Sequence, residues 1–196
     1  KMNDFQQAAY IRSMIKDTKN RVSLDTPLAD IRYVVFDLET TGFRPWSGDE
    51  ILSIGSVPVE SMKVIKEEFF HSLVRPKGTI PQTVEELTGI SWEKVKDQPS
   101  IETVLREWLF KIQGVTLVAY GAKHDLSFLQ STMSRCFGLK VHNRIIDLYQ
   151  IVSWLHPNWS DYSLNYVLEF YNIPIQGRHT ALGDAMMTAY LWVKVL

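Results

Sequence analysis

Residues 31–38 form an apolar run of β-branched and aromatic side chains, interrupted only by Arg32 and Asp37, that fits a strand buried on both faces. It runs directly into Asp37-Leu38-Glu39-Thr40-Thr41-Gly42. A strand alternates its side chains, so Asp37 and Glu39 point to one face, roughly 6–7 Å apart along the backbone. Two acids held rigidly at that spacing suit divalent cations about 3.5–4 Å apart, one acid bridging both ions and the other holding one. Thr40, Thr41 and Gly42 add hydroxyls and backbone amides next to them. The alternative for Asp-x-Glu alone is a strand that ends in solvated acids at a turn.

The remaining pattern predicts what surrounds that strand. Further strands are expected at 51–59, 67–74 and 115–120, the first two as hairpin neighbours. A loop holding Gly, Pro and Ser is expected at 43–49. Helices are expected at 83–87, 101–112, 125–137, 147–155, 163–171 and 181–195, with an amphipathic one at 4–20 and a polar connector at 20–30. Strands first, then helix, strand and helices, indicate an α/β fold: a mixed sheet with helices packed on it. At 196 residues one compact domain is the natural size. It is expected over 31–196, preceded by an N-terminal helical extension at 1–30.

Composition narrows the class. The 21 basic and 22 acidic residues leave a net charge of −1, so broad electrostatic capture of duplex nucleic acid is not expected, whereas a small groove for a few nucleotides is compatible. Cys136 is the single cysteine, which rules out an internal disulfide or a thiolate metal cluster and favours a reducing compartment. No apolar signal region or membrane-length run is present, so a cytoplasmic location away from membranes is expected.

More acids lie further along the chain. Asp125 follows the strand at 115–120; it reads either as a helix N-cap or, if the two strands are neighbours, as an acid brought beside Asp37. Five residues on a helix turn about 500°, so His179 and Asp184 cannot share a helical face. His179 is therefore placed on a loop and Asp184 inside a helix beginning near 180–181. Aspartate among Ala181, Leu182, Ala185 and Met186 sits in surroundings too apolar for a solvated face, and a metal would compensate it. An ordinary histidine titrates near about 6.5 and can take a proton from water at neutral pH. The alternative is a surface histidine and one helix acid.

Taken together, Asp37-Leu38-Glu39-Thr40-Thr41-Gly42, Asp49-Glu50-Ile51-Leu52-Ser53-Ile54-Gly55, Leu87-Thr88-Gly89-Ile90, Asp125 and His179-Thr180-Ala181-Leu182-Gly183-Asp184-Ala185 resemble the DEDDh 3′–5′ exonucleases. The likeness is strongest to the proofreading epsilon subunits of bacterial DNA polymerase III, and it covers about residues 31–195 in order. The resemblance implies a ribonuclease H-like fold, two Mg²⁺ or Mn²⁺ ions and removal of nucleotides from the 3′ end of DNA, single-stranded or frayed. It implies Asp37, Glu39, Asp125 and Asp184 as metal ligands and His179 as general base. It also implies Thr40, Thr41, Gly42, Phe43, Leu87 and Ile90 near the terminal nucleotide, and a DNA polymerase or other replication or repair protein as a partner. Phe43 and Trp46 read as base-stacking residues or as a loop packed on the core, and Leu87 to Ile90 equally as a helix end with its Gly stop.

One motif departs from the family. The usual His-Asn-Ala-x-Phe-Asp is here Tyr120-Gly121-Ala122-Lys123-His124-Asp125. His124 is either an added nucleotide contact or a filler for the missing ring. That departure keeps a non-catalytic module for nucleic-acid ends open, and the four acids leave an exoribonuclease open as well.

Overall fold

The computed structural model describes Ala9, Tyr10, Ser13, Ser23 and residues 25–196. Its centre is β1 (Tyr33–Thr40), where Val34, Phe36 and Leu38 turn to one face and Tyr33 and Val35 to the other, all buried. That two-sided burial is what the continuous apolar stretch Tyr33-Val34-Val35-Phe36 requires. β2 (Ile51–Glu60) pairs antiparallel with β1; β3 (Lys63–Val64) and β4 (Phe70–Leu73) both pair antiparallel with β2. Then come α1 (Gln82–Thr88), α2 (Trp92–Val95), α3 (Ile101–Lys111) and β5 (Thr116–Ala119), which lies parallel to β1 on its other side. α4 (Lys123–Phe137), β6 (Ile145–Asp147), parallel to β5, α5 (Leu148–Leu155), α6 (Leu164–Phe170) and α7 (Ala181–Val195) complete the chain. The sheet order is β3-β2-β1-β5-β6, with β4 beside β2.

Two apolar layers hold this together. On one face Val34, Phe36 and Leu38 pack with Leu105 and Trp108 of α3 and Phe128 and Leu129 of α4. On the other, Tyr33, Val35, Val57 and Val118 pack with Val152, Val167, Leu191 and Trp192. The Trp108 indole N–H, buried in the first layer, donates to Ser56 Oγ at 2.9 Å, so its polar atom is not left without a partner.

The expected α/β architecture is present, with six strands among the described residues where the pattern indicated four. β3 and β6 have two and three residues, too few to show a period of two, and β6 is only half-buried. The strand expected at 67–74 begins at Phe70, because Lys66–Glu68 form a 3₁₀ turn. The four-residue α2 also gave no periodic signal. Helix starts were more legible. Asp147, Ser163 and Thr180 cap α5, α6 and α7 through side-chain oxygens that accept backbone N–H bonds. Ala9, Tyr10 and Ser13 are helical, and the rest of the helix expected at 4–20 lies outside the described residues. No helix among the described residues is long and apolar enough to cross a membrane.

Candidate active site

Asp37 and Glu39 continue the face of β1 that Tyr33 and Val35 turn toward α7, but they lie past the end of the apolar layer. In the sheet, Asp37 stands opposite Gly55 of β2. A Cβ on Gly55 would collide with the backbone of Ala181 and Leu182, so the missing side chain is what lets the first turn of α7 lie directly on β2. That contact brings Asp184, in the same first turn, over the end of β1. The result is a tight group: carboxylate oxygens of Asp37, Glu39 and Asp184 all lie within 4.8 Å of one another.

Asp125 approaches from the other neighbour. β5 is parallel to β1, so the turn after β5 opens beside the end of β1. Asp125 lies buried in the first turn of α4, which starts at Lys123; it is therefore not the N-cap. Its Oδ1 accepts the Leu38 N–H at 3.2 Å, between Asp37 and Glu39 in sequence. Asp125 stands outside the tight group of three, yet its charge reaches Asp37.

Burial and mutual repulsion raise the proton affinities of Asp37, Glu39 and Asp125. Burial pushes the Asp37 carboxyl well above the usual range, the charges of Asp125, Asp184 and Glu39 push it further, and Arg178 opposes them. Glu39 is raised to about 7 by burial and then by Asp184, again with Arg178 opposing. Asp125 is also raised to about 7: burial dominates, hydrogen bonds from backbone N–H groups pull it down, and Glu39 and Asp147 push it up. Asp184 Oδ2 accepts from Arg178, while its Oδ1 is buried with no hydrogen-bond partner among the described residues. Such an oxygen is costly unless something compensates it. An all-oxygen, multiply acidic donor set fits a hard divalent cation.

Other expected site residues fall into distinct environments. His179 is half-buried in the loop before α7, with a left-handed backbone (φ 59°). Thr41 is buried and closes the β1–β2 loop: its N–H donates to Glu50 O and its Oγ1 accepts the Glu50 N–H, each at 2.9 Å. Thr40 Oγ1 donates its single proton to Gly42 O at 2.8 Å. It must therefore accept from His124 Nε2 at 3.2 Å, which places the ring proton on Nε2. The His124 ring lies between Phe128 (4.8 Å between centroids) and Phe43 (5.6 Å), so it fills the space of an aromatic ring and ties the Thr40–Gly42 turn as well.

Phe43 and Trp46 do not pack on the core: they are 86% and 68% exposed. Their loop is nonetheless anchored, by Ser131 Oγ on Pro45 O at 2.7 Å and the Arg44 N–H on Asp49 Oδ2 at 2.8 Å. Leu87 is exposed, whereas Ile90 is buried against Leu52 and Val95. Gly89 between them ends α1 in the left-handed conformation. Three residues were missed from sequence. Asp147 Oδ1 accepts from the Gly121 N–H at 2.9 Å and fixes the turn before Asp125. Arg178 reaches Asp184, and Asn165 Oδ1 accepts from Arg178 Nε at 2.6 Å. A charged residue adjoining His179 was the one available signal.

A mixed sheet with helices on both faces and acids gathered at the end of its central strand is the frame of the ribonuclease H-like exonucleases. Solved structures share it. The nuclease domain of 3′hExo, a DEDDh family member bound to rAMP, superposes with a TM-score of 0.75 at 21% identity, over 86% of this chain and 93% of that one. Exonuclease X in complex with 5′ overhanging duplex DNA gives 0.65 at 24% identity, over 83% and 90%. The chain belongs to the Exonuclease family, RNase_T, whose model matches residues 34–192. Among its relatives, the PolC-type DNA polymerase III of Caldanaerobacter subterraneus subsp. tengcongensis is 36% identical over 164 residues, 84% of this chain and 11% of the polymerase. A DNA polymerase III subunit epsilon-like protein of Rhodobacter capsulatus is 33% identical over 88% of this chain and 25% of its own length. The chain thus spans a small part of the curated relatives it matches.

Proposed function

We propose that residues 31–196 form a 3′–5′ exonuclease domain that hydrolyses the terminal phosphodiester at single-stranded or frayed 3′ ends of DNA. The observation that carries this is the convergence of Asp37, Glu39 and Asp184, with Asp125 behind them, around an unpartnered Asp184 oxygen. These four acids would hold two Mg²⁺ or Mn²⁺ ions. When bound, such ions supply a nucleophile from water at neutral pH and stabilise charge on the attacking and leaving oxygens.

The chain's own groups do the rest. His179, on a loop rather than in the helix, accepts the proton of the attacking water at an imidazole nitrogen. Phe43, exposed on its anchored loop, offers a face on which the terminal base stacks. His124 holds Phe43 and the Thr40–Gly42 turn in place. Thr40, Gly42 and Leu87 border the terminal nucleotide; Thr41 and Ile90, both buried, shape that border from behind. The relatives named as DNA polymerases favour DNA and a replicative partner. The neighbour bound to rAMP keeps an exoribonuclease as the second reading.

The test is degradation of 5′-labelled single-stranded DNA and the matching RNA with Mn²⁺ or Mg²⁺. The expected result is a ladder shortening from the 3′ end, faster on DNA. Faster shortening of RNA transfers the assignment to the second reading. No shortening of either, with both ions and at several pH values, leaves a module that binds ends without cutting them.

A further inference from the structure

Arg178 brings a positive charge into the acid cluster. Its Nη1 donates to Asp184 Oδ2 and its Nε to Asn165 Oδ1 on α6 at 2.6 Å. The arginine side chain is 23% exposed and that of Asp184 9%, so the pair is largely out of water. A carboxylate oxygen of Asp184 lies within 4.8 Å of one from each of Asp37 and Glu39, so the guanidinium adjoins a group of three acids. Because Arg178 takes Oδ2, it leaves Oδ1 of Asp184 free for another cation.

We propose that Arg178 is a built-in counter-charge for the acidic site, one that stabilises the folded chain and weakens its hold on divalent metal. The inference rests on the metal-dependent reading above. Like charges packed this closely repel, and a fixed positive charge among them cancels part of that repulsion. Arginine keeps its charge at any working pH, so the compensation does not titrate away. A divalent ion entering beside Asp184 Oδ1 meets the same guanidinium as a repulsive neighbour, and its affinity falls. Arg178 acts through Asp184 and is a positioning residue, held in its own place by Asn165.

The test combines melting and metal titration of the EDTA-stripped protein, comparing wild type, Arg178→Met, Arg178→Lys and Arg178→Met with Asp184→Asn. Without metal, Arg178→Met should melt about 5 °C or more below wild type, since it strands a buried carboxylate. Arg178→Lys should lose less, and adding Asp184→Asn should recover most of the loss. In calorimetric titration with Mn²⁺, Arg178→Met should bind about five- to tenfold more tightly than wild type, with Arg178→Lys close to wild type. Arg178→Met binding Mn²⁺ no tighter, or more weakly, overturns the counter-charge, as does a metal-free melting temperature that Asp184→Asn does not restore. Those outcomes leave the nuclease reading standing if wild type still takes up Mn²⁺. Wild type that takes up none defeats both.

Discussion

Several side chains at this site do two jobs, and His124 shows it best. Its imidazole packs between Phe43 and Phe128 and adds a hydrogen bond to Thr40. Burial lowers its proton affinity, which favours the neutral ring with its proton on Nε2. We expect His124→Phe to keep the stacking platform and His124→Ala to lose it. In steady-state kinetics on single-stranded DNA, His124→Ala should raise KM by about tenfold, as Phe43→Ala should, with kcat less affected. Equal losses in His124→Phe and His124→Ala would mean that the Thr40 bond, not the ring, matters.

The raised acids also make the stability of the fold depend on pH. Glu39 and Asp125 titrate near 7 in the folded chain, against about 4 when unfolded. Between those values the folded state holds more protons than the unfolded one, so stability falls as pH rises. The metal-free melting temperature should therefore drop from about pH 5 to about pH 7.5. Mn²⁺ should reverse that slope, because it needs the ionised carboxylates. A metal-free melting temperature that rises through this interval would contradict the burial of the acids.

Among the elements, β1 and α7 position the chemistry, and Gly55 sets the distance between them. Gly55→Ala forces a Cβ into the α7 backbone and must move the first turn of that helix. The expected cost is about 1–3 kcal/mol in denaturant unfolding, with a larger loss of 3′-end cleavage than of fold, because Asp184 moves with the helix. A variant that cleaves at the wild-type rate would show that α7 can shift without disturbing the site. The sequence made β1 and the start of α7 readable: one has a long apolar run into Asp-x-Glu, the other a polar cap at Thr180 before an apolar stretch. β6 was not readable, being three half-buried residues in a stretch without period. Its end residue Asp147, which supports the turn before Asp125, went unseen for the same reason. Nor was Arg178 readable as a site residue, because its partnership with Asp184 and Asn165 exists only once α6 and α7 pack.

Across the whole molecule, the sheet brings to one place residues separated by 147 positions, from Asp37 to Asp184. Parallel pairing of β1 with β5 delivers Asp125, and packing of α7 on β2 delivers Asp184. With a net charge of −1, few phosphate contacts are expected. Raising salt from about 50 to 200 mM should weaken single-stranded DNA binding by less than about tenfold, as expected for roughly two phosphate contacts. A much steeper loss, measured by fluorescence anisotropy, would reveal an extended basic track.

We propose that these four acids together hold divalent metal for cleavage at a strand end. Mn²⁺ should be titrated calorimetrically into the EDTA-stripped chain near pH 8, for wild type, Asp37→Asn and Asp184→Asn. Two ions per chain in wild type, with one or both lost in each variant, is the predicted result. No saturable uptake by wild type, or uptake unchanged by both substitutions, would contradict it.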